Sequence, residues 1–422
     1  MSDGLVVRDV LPSGLRLVTE RMPHVRSITV GVWLARGSRH ETDAQSGIAH
    51  FIEHMLFKGT ATRTAEDIAQ EIDSIGGQLD AFTAKEYASY YIKVLDEHLP
   101  IALDLLSDMV TRPAFAEADI EKEQGVILEE IKMVEDTPDD LVHEIFTQHA
   151  WGGHPLGRPI LGTPYTVSSF TADVLRAYFS GTYVAPNVII AAAGNLDHDA
   201  LRGAIENAFD GMPRAGETVV DGPPTMVPGM VVRHKDLEQS HVCIGAPGHE
   251  QKHEERYASY ILNTILGGSM SSRLFQNVRE RRGLAYSVYS GVSSYRDTGL
   301  FSVYAGCAAN KVNEVISVVL EELRLIRREA VSDAELTRAK DHLKGSLMLS
   351  LENTASRMSH LARQEIYFGR HFTLDETLEG IERVTKADVL RVGEMLFGDT
   401  PLVGTVLGPK NGSDFTTEQL AL

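Results

Sequence analysis

Apolar residues set two rhythms along this chain. In "GLRLVTERMPHVRSITVGVWLARGSRHE" they alternate or cluster in short β-branched runs, which predicts two strands. "GIAHFIEHMLFKGT" then moves to the three-and-four spacing of a helix. The second half repeats that order: "GMVVRHKDLEQSHVCIGAPGHE" predicts two strands and "ERYASYILNTILGGSM" a helix. A hairpin is expected next in each half, over "GGQLDAFTAKEYASYYIKVL" and "GLAYSVYSGVSSYRDTGLFSVYAG", with long helices after it. Between the halves, residues 211–229 are rich in Gly and Pro and follow neither period, so they read as a linker. The expected architecture is α+β: two homologous domains, 1–210 and 230–422, each a largely antiparallel sheet packed against helices.

Laying the two helices over each other sets Phe51-Ile52-Glu53-His54 on Tyr260-Ile261-Leu262-Asn263. The first copy carries His and Glu where the second carries apolar and amide side chains. Packing alone does not require those polar groups.

Bulk numbers narrow the classes of function. The 422 residues exceed what one core usually organises. Apolar and charged contents of 43% and 23% are those of a globular protein. A formal net charge of -19 argues against nucleic acid or an anionic membrane as partner and suits a substrate with positive charge. Cys243 and Cys307 are too few for a disulfide framework, which points to a reducing compartment. The start "MSDGLVVRDV" has neither a basic n-region with an apolar stretch nor the composition of a transit peptide, and no apolar run is long enough to span a bilayer. The expectation is a cytoplasmic protein.

On the first helix, His50 and His54 stand four residues apart on one face and can grip one metal ion, with Glu53 beside them within reach of a metal-bound water. The alternative is that both are ordinary helix residues. A third donor decides between them. "EADIEKEQGVILEEIKMVED", 117–136, is helical by period, and Ile120, Ile127, Ile131 and Val134 form its apolar arc. Glu123 and Glu130 fall inside that arc, whereas Glu121, Glu129 and Lys132 fall on the wet face. A buried carboxylate needs a compensating cation or hydrogen bonds. A zinc ion supplies one, with Glu130 as third ligand and Glu123 as a supporting carboxylate; an ion pair with an Arg or Lys is the competing account.

Taken together, "GIAHFIEHMLFKGT", "GGQLDAFTAKE", "VILEEIKMVEDTP", "HPLGRPILGT" and "VRERRGLAYSVYS" resemble, in order and spacing, the pitrilysin family of inverzincin metallopeptidases, in its processing-peptidase branch. The resemblance covers nearly the whole chain. It implies one zinc per chain on His50, His54 and Glu130, Glu53 as general base, and Glu123 as the supporting glutamate. It also implies that the strand holding Asp80, Ala81, Phe82 and Thr83 takes a peptide substrate along its edge. Asp80 stands where the family usually has Asn, and an ionised Asp cannot donate a hydrogen bond to the substrate. Arg279 and Tyr286 match the arginine–tyrosine pair that clamps substrate and donates to the oxyanion. Since those residues come from the opposing half of a clamshell in the family's larger members, a homodimer is expected, Arg279 and Tyr286 reaching across the interface. Peptides, preferentially basic ones on the bulk charge, are the expected substrates of this endopeptidase. The rival readings are a non-catalytic core subunit of the same fold and an active subunit that needs a distinct partner.

Overall fold

The computed structural model of the chain describes residues 6–216, 221–398, 401–409 and 415–422. Part of the expected linker, 217–220, lies outside the described residues. Two compact units emerge: 1–132, 158–221 and 349–373 form the first, and 133–157, 222–348 and 374–422 the second.

The first unit is built on a six-stranded sheet of β1 (Val6–Val10), β2 (Arg16–Arg21), β3 (Ser27–Leu34), β4 (Gln78–Thr83), β5 (Ala88–Leu95) and β6 (Val188–Gly194), in the order β1-β2-β6-β3-β5-β4. Only β2 and β6 run parallel; every other neighbouring pair is antiparallel. The predicted strands β2 and β3 are therefore not partners, because β6 inserts between them. One face of the sheet carries α1 (Ile48–Leu56), α2 (Ala65–Ser74), α3 (Leu99–Thr111) and α4 (Glu117–Asp136), whose apolar sides join Val30, Val32, Tyr90 and Ile92 in one core. The other face is closed by the helix Thr354–Phe368, where Met358, Leu361 and Ala362 meet Trp33, Ile189 and Ala191. Gly31 of β3 makes room for this contact, since a Cβ there would lie 2.9 Å from Met358 Sδ.

The second unit repeats the plan with five strands: β7 (Gly229–His234), β8 (Gln239–Gly248), β9 (Ala285–Ser294), β10 (Gly299–Ala308) and β11 (Val403–Gly408), in the order β7-β11-β8-β10-β9. β11 lies parallel to β7 and antiparallel to β8, as β6 does to β2 and β3. Here α5 (Pro138–Ala150) covers the outer face, Phe146 seating against Gly245 of β8, whose added Cβ would meet the ring at 2.5 Å. Gly31 and Gly245 thus play a similar part, each leaving room for a helix on the outer face of its sheet.

The units interleave along the chain. A cut at 211–229 gives their order but not their membership, because 133–157 and 349–373 each close the sheet of the unit coded by the other half. Each sheet has two apolar faces, and the local helices cover only one. The helices of "SDAELTRAKDHLKGSLMLSLENTASRMSHLARQEIYFG" are thereby split: Asp333–Ser350 falls almost wholly in the second unit and Thr354–Phe368 in the first.

Candidate metal centre

Local chemistry fixes where α1 begins. Gly47 precedes it at φ +92°, and a Cβ there would come within 2.7 Å of Leu161 O and Gly162 Cα. Gly162 is itself at φ +76°, its Cβ position 2.3 Å from Ser46 O. Glycine is required at both sides of this close approach. Buried Glu41 accepts from Gly47 N at 2.8 Å and Ala49 N at 2.9 Å, so a carboxylate satisfies two of the helix's opening N–H groups. Burial pushes that carboxyl up to about 8, against the pull of the two amides, Lys85 and Arg158. Arg158 also donates to Glu41 O at 2.6 Å. "HPLGRPILGT" thus clamps the start of the histidine helix.

α1 and α4 then bring three donors together. His50 Nε2 lies 3.7 Å from Glu130 Oε2, and His54 Nε2 lies 3.6 Å from Glu130 Oε1. One donor atom from each of His50, His54 and Glu130 falls within 4.8 Å of the others. Two ligands of a tetrahedral ion at ordinary Zn–N and Zn–O lengths stand roughly 3.3 Å apart, so the three residues fit zinc with little adjustment. The gaps are too long for hydrogen bonds. On the far side of the ring, His54 Nδ1 is 3.0 Å from Glu123 Oε2. Donation from Nδ1–H leaves the Nε2 lone pair pointing at Glu130, the ligand tautomer. His50 Nδ1 is buried without a hydrogen-bond partner, and burial, with His54 second, lowers that imidazole to about 4, keeping it neutral.

Glu123 is 4% exposed, and Lys58 Nζ pairs with its Oε1 at 2.8 Å. Both accounts of its burial are therefore met at once: it supports His54 with one oxygen and forms an ion pair with the other. Glu53 is held by Thr83, whose hydroxyl donates to Oε2 at 2.5 Å. Burial raises the Glu53 carboxyl, with the Thr83 bond acting in the opposite direction. An open cavity of about 280 Å³ lies beside these groups, lined by Glu53, His54, Phe57, Lys58, Leu79, Asp80 and Ala81.

β4 is the edge strand of its sheet, paired only with β5 among the described residues. Its side chains alternate in exposure. Asp80 accepts from Ala81 N at 2.8 Å and from the Tyr91 hydroxyl at 3.1 Å, so its oxygens are engaged locally. Phe82 packs edge-on against Trp33 at 5.6 Å between ring centroids. Arg279 and Tyr286 belong to the second unit. A π-helical turn, Phe275–Glu280, presents Arg279 with its Cζ 4.8 Å from the Phe275 ring and 4.7 Å from the Tyr286 ring, and Tyr286 is 78% exposed.

Sequence reasoning singled out neither Lys58 nor the Thr83–Glu53 bond, and it passed over a second cluster of His249, His253 and Glu255. The His-x-x-x-His spacing of "GHEQKHEE" was the available signal. His143 Nε2 bonds the Tyr289 hydroxyl at 2.8 Å and His154 Nε2 bonds Gly222 O at 3.0 Å.

Two like α+β units, with a His-x-x-x-His helix facing a glutamate, define a class, the pitrilysin-type zinc metallopeptidases, and comparison with known proteins agrees. Residues 16–164 match the model of the insulinase family (peptidase family M16), and 169–343 match that of the peptidase M16 inactive domain. The chain is 45% identical over 393 residues to an uncharacterized zinc protease of Bacillus subtilis, covering 93% of this chain and 96% of the relative. It is 44% identical over 419 residues to another from Streptomyces coelicolor, covering 96% and 90%. In fold it is similar to a protease from Helicobacter pylori, with a TM-score of 0.90, 22% identity and coverage of 96% and 99%. The chain belongs to peptidase family M16. No helix among the described residues is long and apolar enough to cross a membrane.

Proposed function

We propose that this protein is a zinc-dependent endopeptidase of the processing-peptidase type, cutting unfolded peptides or short segments admitted to a closed chamber. The observation that carries the reading is the pair of Glu130 oxygens facing one Nε2 each of His50 and His54. Zinc bound there would lower the pKa of a water and polarise the scissile carbonyl. Glu53, adjacent in the cavity, takes the water's proton and passes it to the leaving amine. Its partial burial suits both tasks, because a raised carboxyl pKa lets one group accept and then release a proton. Glu123, anchored by Lys58, holds His54 in its ligand tautomer. The outer edge of β4 receives the peptide main chain, which makes recognition depend little on side chains. Asp80 contributes no donor there, its oxygens being acceptors already in use. Arg279 and Tyr286 of the partner subunit complete the site in a cytoplasmic homodimer, the arginine gripping the substrate backbone and the phenol donating to the developing oxyanion.

Glu53→Gln tests the assignment. The variant keeps its fold and zinc and loses peptide hydrolysis by at least about a hundredfold. Undiminished hydrolysis would remove Glu53 from the mechanism.

A further inference from the structure

The loop 249–255 joins β8 to the helix Arg256–Leu266, the same place in the second unit that the stretch before α1 holds in the first. It carries a donor set of its own. His249, His253 and Glu255 each bring one donor atom within 4.8 Å of the others. His249 is 7% exposed. Its Nδ1 lies 2.7 Å from Ser259 Oγ on the following helix, and its Nε2 is buried without a hydrogen-bond partner. An unmet buried ring nitrogen is costly. One nitrogen fixed by an orienting group and the other left open is also how metal-binding histidines are arranged.

His253 stacks on His249 with ring centroids 3.8 Å apart and planes 8° from parallel, and its Nδ1 accepts from Glu255 N at 3.1 Å. Glu255 Oε1 receives Arg391 Nε at 2.6 Å, and Arg391 also holds Asp388 at 2.6 Å. Glu255 can therefore turn inward without stranding the guanidinium.

We propose that His249, His253 and Glu255 form a second divalent-metal site, in the unit that lacks the first. Two imidazoles and one carboxylate favour zinc, cobalt or nickel over magnesium or calcium. Parallel rings cannot both aim in-plane lone pairs at one ion. Binding thus requires the half-buried His253 ring to swing out of the stack and release Glu255 N–H, while His249 stays on Ser259. The bound ion ties the loop to the strand and helix on either side of it. Because the unfolded chain does not hold the three donors together, the ion stabilises the folded second unit.

Metal content of the full chain, equilibrated with buffered zinc and freed of excess, tests this. The wild type holds about two zinc ions per chain. His253→Ala and Glu255→Gln, at partly exposed positions that leave the buried His249 in place, each hold about one, as does His54→Ala, and the double variant His54→Ala/His253→Ala holds none. Added zinc raises the melting temperature of His54→Ala but not of the double variant, with circular dichroism confirming that both fold. Wild type with one zinc that survives His253→Ala overturns the second site and leaves the first standing. One zinc that survives His54→Ala and is lost in His253→Ala supports the second site and sinks the proposed catalytic centre. Zinc-free His54→Ala whose melting temperature ignores added zinc also overturns the second site.

Discussion

At the scale of single residues, the metal centre depends on a chain of contacts, Lys58 to Glu123 to His54, that ends at the open Nε2. Supporting carboxylates of this kind set the tautomer and basicity of a ligand histidine. Glu123→Ala is expected to weaken zinc binding by about 10- to 100-fold in a chelator competition, without unfolding the first unit. Lys58→Met should weaken it less, since it leaves the Glu123–His54 contact in place. Unchanged zinc affinity in Glu123→Ala would mean that Lys58, not His54, is the reason this carboxylate is buried. His50, Glu53, His54, Glu123 and Glu130 could all be singled out from sequence, because helical periodicity converts spacing into a shared face. Lys58 could not, since a lysine at the end of a helix looks the same whether it faces water or a buried carboxylate. Thr83 was legible only as part of a strand; its bond to Glu53 depends on how α1 packs over β4.

At the scale of elements, the start of α1 is a point of low tolerance. Gly47→Ala forces a side chain into a left-handed backbone position and against Leu161 O and Gly162. We expect a cost of about 1–3 kcal/mol in urea unfolding and weaker zinc retention, since His50 sits in the first turn. A loss-free Gly47→Ala would show that the 160–162 loop yields easily. In the second unit, Glu335 opens the helix Asp333–Ser350, taking Ser332 N at 2.9 Å and Arg273 Nε at 2.8 Å. Burial alone would raise its carboxyl, but Arg273 and Ser332 hold it down to about 2. A folded-state pKa below the unfolded one contributes stability above the unfolded value, roughly pH 4.3, and loses it as pH falls toward 2. Glu335→Gln should therefore destabilise the protein at pH 6, the difference from wild type closing between pH 4 and 2 in denaturant titrations. A pH-independent difference would assign the loss to packing. The elements themselves were partly legible. β2, β3, the two hairpins and α4 follow from periodicity, whereas β6 ("VIIAAAG") and β11 ("VGTVLG") are short apolar runs with no period to separate strand from helix. Both are the strands that insert between predicted neighbours, so sheet order was out of reach.

At the scale of the molecule, the duplicated plan was visible in the order of elements, and the interleaving of the units was not. Which sheet an amphipathic helix covers depends on contacts far apart in the chain, and a helix's own pattern says only that it has an apolar face. The proposed homodimer gives a mixing experiment. Glu53→Gln and Arg279→Ala are each expected to be inactive, yet mixed and re-equilibrated subunits should recover about a quarter of wild-type activity, because half the dimers are mixed and one of their two sites is intact. Absence of recovery from two inactive variants, with exchange shown by light scattering of tagged subunits, would mean that Arg279 acts within its own chain.

The account rests on one ion held by two helices of the first unit. Crystals of the zinc-loaded protein, measured on both sides of the zinc absorption edge, test this most directly. The account predicts an anomalous peak about 2.0–2.2 Å from His50 Nε2, His54 Nε2 and a Glu130 oxygen. Zinc-loaded crystals with no peak between α1 and α4, or with the Glu130 carboxylate turned away from it, would contradict the account.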